Sequence, residues 1–503
     1  MAQALTPARA GLAVAVAAFV GGALTLNHDL VGVFYDDGLY AGLALALSRG
    51  LGYVHPHLPG TPPAIHYPPL YPILLAPLFG SLPVGAAAFA AKVLNLVLAT
   101  LGAGLVAWYA TRVRLLGDDA PPWLAAALVA ASALSMPVLA IQGVLFAEPF
   151  FGVWLALAVI LAGAPPGPWA PTTAALLAGV AAALALLTRS LGVAAGAGIV
   201  LYLALVRRTA WVNVLAAAAA VGVAGAGWGA WVIRHAGRID PALAMNYGSY
   251  FETVQQAGLG VFRASARDLP RPLADLVFGG LPAPLYYLFG AGALAIGLYG
   301  LVRVLPRSPI GFILIFYFGI LAVWPFPPDR FLWAVLPWLV LIWVAGALPL
   351  LQRPALRLPV LIVATTMVAG FGWREVRGFA GAWWGLAASQ ISGNFRELLP
   401  WLQTLPPGTV LATDDEALVW LYTQKPAVPF YLYGYHGSTE TTPTPAEHRA
   451  YLERQGVTHV LLAGFGGGSA HELDALLGAY PGWLTILHRW PGGRAVFAVT
   501  REH

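Results

Sequence analysis

The sequence predicts an α-helical polytopic membrane protein that carries a small α/β domain at its C-terminal end. Three observations lead there. Hydrophobic residues make up 59% of the 503 residues and charged residues only 10%, where soluble globular chains carry about 25% charged residues. Apolar runs long enough to cross a bilayer recur through residues 1–372. Residues 373–503 abandon that pattern for short β-rich runs set between amphipathic helical ones.

About 17 to 25 apolar residues suffice for a spanning helix. Eleven such segments are read: 10–28, 83–110, 121–140, 146–163, 171–188, 191–206, 211–233, 284–302, 309–325, 331–350 and 357–372. The first has no charge over residues 10–27 and ends in Asn27-His28-Asp29 instead of small residues before a cleavage site, so it reads as a retained span. Only Arg189 and Ser190 separate the fifth from the sixth.

Arginines mark one side of these spans. Arg9, Arg112 with Arg114, Arg207 with Arg208, Arg303 with Arg307, and Arg353 with Arg357 all fall on the same side when eleven spans are counted. Positive residues favour the cytoplasmic side, which places the N-terminus inside and the C-terminal segment outside. The formal charge of +5 is therefore an orientation signal and does not imply nucleic acid. The absence of cysteine excludes disulfide and thiolate chemistry. A composition rich in Ala, Gly and Arg fits a bacterial gene of high GC content and thus a bacterial cytoplasmic membrane.

Three outer segments are long: 29–82, 234–283 and 373–503. The second, including "NYGSYFETVQQAGLGVFRASARDLPRPLADLVFGG", has the pattern of amphipathic helices at a membrane interface. In the third, "GTVLAT" and "VTHVLLAG" read as strands, and "WLTILHRWPGGRAVFAVT" reads as a hairpin turning at Pro-Gly-Gly. Helical patterns lie near 414–423, 445–455 and 470–479. The expected domains are therefore 1–372 in the membrane, with its two outer loops, and an extracytoplasmic α/β domain over 373–503.

Chemistry-bearing residues collect where the outer loops meet the spans. "FYDDGLYAGL" sets Asp36 beside Asp37 just after the first span. One reading makes them charges at a helix N-terminus; the other makes them an acid–base pair. "HYPPLYPILLAPLFG" follows at 66–80, and then Lys92 and Asn95 inside the second span. A lysine there is costly unless it is paired or faces a cavity. Glu148 opens the fourth span, Arg189 ends the fifth and Arg330 lies at the start of the tenth. Their alternatives are a helix-end charge, a loop charge, and pairing with Asp329 or snorkelling. His55, His57 and His66 have no spacing that marks a zinc site.

The ordered set "YDDGLYAGLALALSRGLGY", "HYPPLYP" and "AAKVLNLVLATLGAGLVAW", with Arg330-Phe331 and Pro337 late in the chain, resembles the membrane glycosyltransferases of the GT-C fold. The branch it resembles is that of the bacterial aminoarabinose transferases and protein O-mannosyltransferases. The match covers nearly the whole topology. It departs in two places: His66-Tyr67 stands where relatives often carry Lys before Pro-Pro, and the second acid is Asp37 where Glu is common.

The resemblance implies an inverting enzyme. It would move a sugar from a polyprenyl-phosphate donor to a hydroxyl of a lipid, glycan or protein acceptor on the outer face of the membrane. Asp36 would then be the general base and Asp37 its orienting or metal-binding neighbour. Arg330, Lys92 and Arg189 would bind the donor phosphate, because a guanidinium fork fits phosphate oxygens. Tyr40, His66, Tyr67 and Glu148 would contact substrate. No cofactor is fixed by a motif, and a divalent metal is left open. A flippase of lipid-linked sugars is the first alternative, but it should keep its polar residues near the bilayer midplane. A non-catalytic scaffold is the second, and it gives Asp36, Asp37, Lys92 and Arg330 no common purpose.

Overall fold

The computed structural model describes residues 5–165, 167, 169–324, 326–381, 386–436, 439–463 and 467–500. They form two compact units. One comprises Met1–Leu26, Lys92–Ala230 and Phe262–Trp384; the other comprises Asn27–Ala91, Trp231–Val261 and Gly385–His503.

The first unit is helical, and each of the eleven apolar segments contains a helix. Among the described residues, six single helices are long and apolar enough to cross a membrane: Pro7–Leu24, Val84–Arg112, Pro171–Thr188, Trp211–His235, Ala283–Val304 and Pro354–Ala380. The expected third span is a pair, Pro122–Ala133 and Met136–Gly143, bent by 56°. Ser135 interrupts it, and Pro137 follows at the start of the second piece. A proline cannot donate its backbone nitrogen and is tolerated only in a first helical turn.

The remaining expected spans are shorter: Glu148–Gly163, Ser190–Val206, Pro309–Leu321 and Leu336–Leu351. At 1.5 Å per residue, a helix of 16 residues covers only about 24 Å. Several of the breaks coincide with charged side chains. Glu148 is the first residue of its helix, Arg189 caps the one before Ser190, and Asp329 with Arg330 opens a separate turn, Asp329–Ala334.

Small residues allow close helix packing. A methyl group on Gly300 would stand 2.0 Å from the Ile342 carbonyl oxygen, and one on Gly346 would stand 2.3 Å from that of Ile296. Helices Ala283–Val304 and Leu336–Leu351 therefore touch backbone to backbone, as membrane helices with small-residue faces do. The opposite condition holds on Trp211–His235 and Pro354–Ala380. Only 6% of the most apolar window of each is buried. Helices apolar on every side and uncovered by protein need a hydrocarbon solvent, so the chain is a multi-pass membrane protein.

The second unit holds a five-stranded sheet. Its strands are β1 (Leu411–Ala412), β2 (Ala427–Val428), β5 (His459–Leu462), β6 (Leu484–Arg489) and β7 (Ala495–Val499). The order is β2-β1-β5-β7-β6. β1 pairs in parallel with β2 and β5, whereas β7 pairs antiparallel with β5 and β6. A separate hairpin joins β3 (Gly434–His436) to β4 (Thr439–Thr441). The expected turn at Pro491-Gly492-Gly493 connects β6 to β7, with φ of 80° and 79° at the glycines, a conformation that L side chains resist.

The sheet's core is built by Phe395, Leu398 and Leu402 of helix Leu386–Gln403, Leu418 and Val419 of helix Glu416–Thr423, and Leu411, Leu461 and Val496 of the strands. Val33, from the segment leading into helix Asp36–Ser48, completes the same cluster. The loop is also tied by hydrogen bonds. The Leu30 N–H donates to Ser392 Oγ at 3.0 Å, the Val31 N–H donates to Tyr422 Oη at 3.1 Å, and Arg396 donates to the His28 carbonyl at 2.8 Å. Residues far apart in sequence therefore share one core.

Candidate active site

The first group of functional side chains lies in the second unit, at the start of helix Asp36–Ser48. The chain enters this helix through Tyr35, whose φ of 65° and ψ of −73° are rare for a tyrosine. The Asp36 N–H donates to the Phe34 carbonyl at 2.8 Å, closing a three-residue γ-turn of the strained, positive-φ kind. Asp37 holds the turn together: Oδ2 accepts from the Gly32 N–H at 2.7 Å and Oδ1 from the Phe34 N–H at 2.9 Å. Gly32 is required here, since at φ 106° a Cβ would stand 2.5 Å from that of Leu418.

The two acids thus differ. Asp37, 1% exposed, is directed at backbone donors. Asp36, 9% exposed, accepts at Oδ1 from the Tyr67 hydroxyl at 2.7 Å. Burial, and then the Asp36 charge, push the Tyr67 phenol well above its usual range, so it stays protonated and donates. Tyr40 packs edge-on against Tyr67 and Tyr71, each at 5.0 Å between ring centres. His66 packs against Tyr67 at 4.7 Å, and its Nδ1 hydrogen-bonds the Gly248 carbonyl at 2.8 Å. Asp36, Asp37, Tyr40, His66 and Tyr67 are therefore brought together, with the aromatic groups as the wall that fixes Asp36.

His55 and His57 do not join that wall. His57 Nε2 lies 2.9 Å from the Tyr247 hydroxyl, which itself donates to Glu416 Oε1. Tyr247 can then only accept from His57, which fixes the Nε2–H tautomer. Burial pushes His57 down to about 3, and burial with the neighbouring His57 and His66 lowers His55, so both rings are neutral at physiological pH. Among the described residues no group of three or more His, Asp or Glu is arranged to hold a metal ion.

The sequence reading passed over Asp414-Asp415-Glu416, at the N-terminus of helix Glu416–Thr423. Three consecutive acids in so apolar a chain were the available signal. Burial, Asp414 and Asp37 push Asp415 up to about 8. Burial raises Glu416 as well. It also passed over Tyr247, an aromatic residue in an amphipathic stretch with nothing local to mark it.

The second group lies in the first unit, at the helix breaks. Glu148 is 2% exposed and forms ion pairs with Arg189 at 2.8 Å and Arg330 at 2.9 Å. Arg330 therefore pairs with Glu148, where the sequence suggested Asp329. The guanidinium of Arg189 lies over the Phe331 ring at 4.8 Å, and that of Arg330 lies over Phe146 at 4.5 Å. Asn95 fixes the segment before Glu148 by donating to the Val144 and Phe146 carbonyls at 3.1 and 2.9 Å. Lys92, one helical turn earlier on Val84–Arg112, is 3% exposed. Two cations sharing one carboxylate keep a positive charge, and Arg330, with its side chain 25% exposed, is the more accessible.

No family model matches the sequence, and no curated protein does. Solved structures do. ArnT from Cupriavidus metallidurans, in the apo state, aligns with a TM-score of 0.56 at 17% identity over 97% of both chains. The archaeal oligosaccharyltransferase AglB from Archaeoglobus fulgidus, in complex with an inhibitory peptide and a dolichol-phosphate, aligns with a TM-score of 0.51 at 13% identity over 98% of this chain and 74% of its own. The same oligosaccharyltransferase tethered to an acceptor peptide containing the NVT sequon gives a TM-score of 0.52 over the same shares.

Proposed function

We propose that this chain, whose fold is that of the GT-C membrane glycosyltransferases, is an inverting glycosyltransferase. It takes a sugar from a polyprenyl-phosphate donor and passes it to a hydroxyl of a lipid, glycan or protein acceptor. The observation that carries this reading is the division of labour in the acid pair: both Asp37 oxygens accept from backbone N–H groups, whereas Asp36, the more exposed of the two, accepts from the Tyr67 phenol.

In the reaction the acceptor oxygen attacks the anomeric carbon and its proton passes to Asp36. A positioned general base contributes about 10²–10⁴-fold. The bond between the anomeric carbon and the phosphate oxygen breaks, and its electron pair leaves with the polyprenyl phosphate. Attack opposite the leaving group inverts the configuration. The phosphate gains charge as it departs, and Arg330 and Arg189 supply donors suited to it. Glu148 holds both guanidinium groups in place, a positioning role beside the substrate contact expected of it. Lys92 is the third cation assigned to the donor. AglB has been solved with dolichol-phosphate, a ligand of the same chemistry. Among the described residues no group of three or more His, Asp or Glu is arranged to hold a metal ion, and no step is routed through one.

The proposed setting is a bacterial cytoplasmic membrane with the N-terminus inside and residues 373–503 outside, following the arginine pattern. The test uses purified protein in detergent with a polyprenyl-phosphate sugar and an extract of envelope acceptors. Release of polyprenyl phosphate that depends on Asp36 is the expected result. Equal release from wild type and Asp36→Asn would overturn the assignment.

A further inference from the structure

The second half of the broken span, helix Met136–Gly143, starts without the cap its sequence offers. Ser135 stands at the N-cap position, where a serine hydroxyl commonly accepts from N–H groups of the first turn. Here that hydroxyl donates to the Ser132 carbonyl at 2.6 Å, and no side-chain cap forms. The Met136 N–H finds its partner far away in sequence: it donates to Glu375 Oε2 at 2.7 Å, across 239 positions.

A carboxylate is a demanding partner for one N–H. Glu375 lies near the C-terminal end of helix Pro354–Ala380, where the dipole of its own helix disfavours an acid. It is half-buried, and its Oε1 is enclosed with no hydrogen-bond partner among the described residues. An acid on a helix apolar enough to cross a membrane is tolerated only with a specific partner. That partner is the N-terminus of another helix, where negative charge is favoured.

The helix that Glu375 caps is a short strut. Its eight residues cover about 12 Å. Beyond its far end, Asn95 donates to the Val144 and Phe146 carbonyls at 3.1 and 2.9 Å. The Phe146 ring lies against the Arg330 guanidinium at 4.5 Å, and Glu148 pairs with Arg330 and Arg189. A polar tie therefore holds each end. We propose that Glu375 is a positioning residue for the donor phosphate. By anchoring Met136 it sets where the strut delivers Phe146 and Glu148, and thus where the two guanidinium groups stand. The proposal rests on the assignment of Arg330 and Arg189 to that phosphate. Glu375 acts through an acceptor oxygen at the right reach, and its charge is not what the phosphate site needs.

The test measures competition with a labelled polyprenyl phosphate on the full-length protein in detergent. Glu375→Ala should weaken binding about tenfold, the loss expected when a charge-assisted hydrogen bond goes, with the acceptor KM unchanged. Glu375→Gln keeps an acceptor oxygen in place and should bind within about twofold of wild type. Glu375→Asp keeps the charge but draws its oxygens back by about 1.5 Å, and should bind less well than Glu375→Gln. If Glu375→Ala does not fold, this Gln and Asp pair carries the comparison. Deuterium exchange in Glu375→Asp should rise over residues 136–148 and stay unchanged over Trp211–His235. Wild-type affinity in Glu375→Ala or Glu375→Asp, Glu375→Gln as weak as either, or faster exchange in every helix would overturn the inference. If Arg330→Ala still loses binding in that event, the donor reading stands; if no variant loses binding, Arg330→Ala included, both fall.

Discussion

Asp36 and Asp37 are neighbours with opposite duties, and substitution should separate them. Asp36→Asn removes the proton acceptor while keeping an oxygen for Tyr67, so turnover should fall by about 10²-fold or more with donor binding retained. Asp37→Asn places an amide N–H₂ against one of two backbone donors. Its cost should appear first as stability, about 1–3 kcal/mol, by chemical denaturation of the purified protein. Wild-type stability in Asp37→Asn would mean that the turn does not depend on the tie. Asp415 gives a pH signature. Its folded pKa, about 8, lies above the ordinary value of 3.8, so the stability linked to its proton is complete below the unfolded value and is lost as pH rises towards 8. Asp415→Asn should therefore raise the melting temperature at pH 8 by at least about 2 °C and leave it unchanged near pH 4. A shift of equal size at both values would show that charge is not the cause.

The charged side chains proposed for the donor gather at the helix breaks of the first unit. Glu148, Arg189 and Arg330 each sit at a helix end, where backbone groups are already without intrahelical partners and a polar side chain adds the least further cost. Arg330→Ala should weaken binding of a polyprenyl-phosphate donor, measured by competition with a labelled lipid phosphate, and affect the acceptor KM little. Asn95→Ala leaves the Val144 and Phe146 carbonyls without this donor and loosens the segment carrying Phe146. It should weaken donor binding in the same assay without touching a charge. Lys92→Met tests a buried cation: unchanged donor affinity would remove Lys92 from the phosphate site.

At the scale of the molecule, residues from 27–91 and 385–503 share one core. Val33 packs with Phe395 and Leu418, and the His57 carbonyl accepts from the Ala427 N–H at 2.8 Å. A chain truncated after residue 384 should therefore lose protease resistance within residues 27–91 as well as transferase activity. Retained resistance there would show that the first loop folds alone. Alkaline-phosphatase fusions after residue 400 should be active and those after residue 208 inactive. The reverse pattern would invert the orientation drawn from the arginines.

The sequence by itself determined the membrane class, the positions of the apolar helical segments, and the β6–β7 hairpin at Pro491-Gly492-Gly493. These follow from composition, from runs of apolar residues and from turn chemistry, all local in the chain. It also picked out Asp36, Tyr67, Glu148, Arg189 and Arg330, because charges beside apolar runs are conspicuous. Only the tertiary structure decided which partners those groups meet. Pairing Arg330 with Glu148, 182 positions away, spending Asp37 on Gly32 and Phe34, and joining His57 to Glu416 through Tyr247 depend on side chains meeting across long loops. A hydrogen bond or ion pair is specified by distance and direction, and neither is encoded in the spacing of residues whose chains fold back from different segments. The broken third span was missed for a different reason: its hydropathy is continuous, and the 56° bend falls at Ser135 and Pro137, which a count of apolar residues does not register.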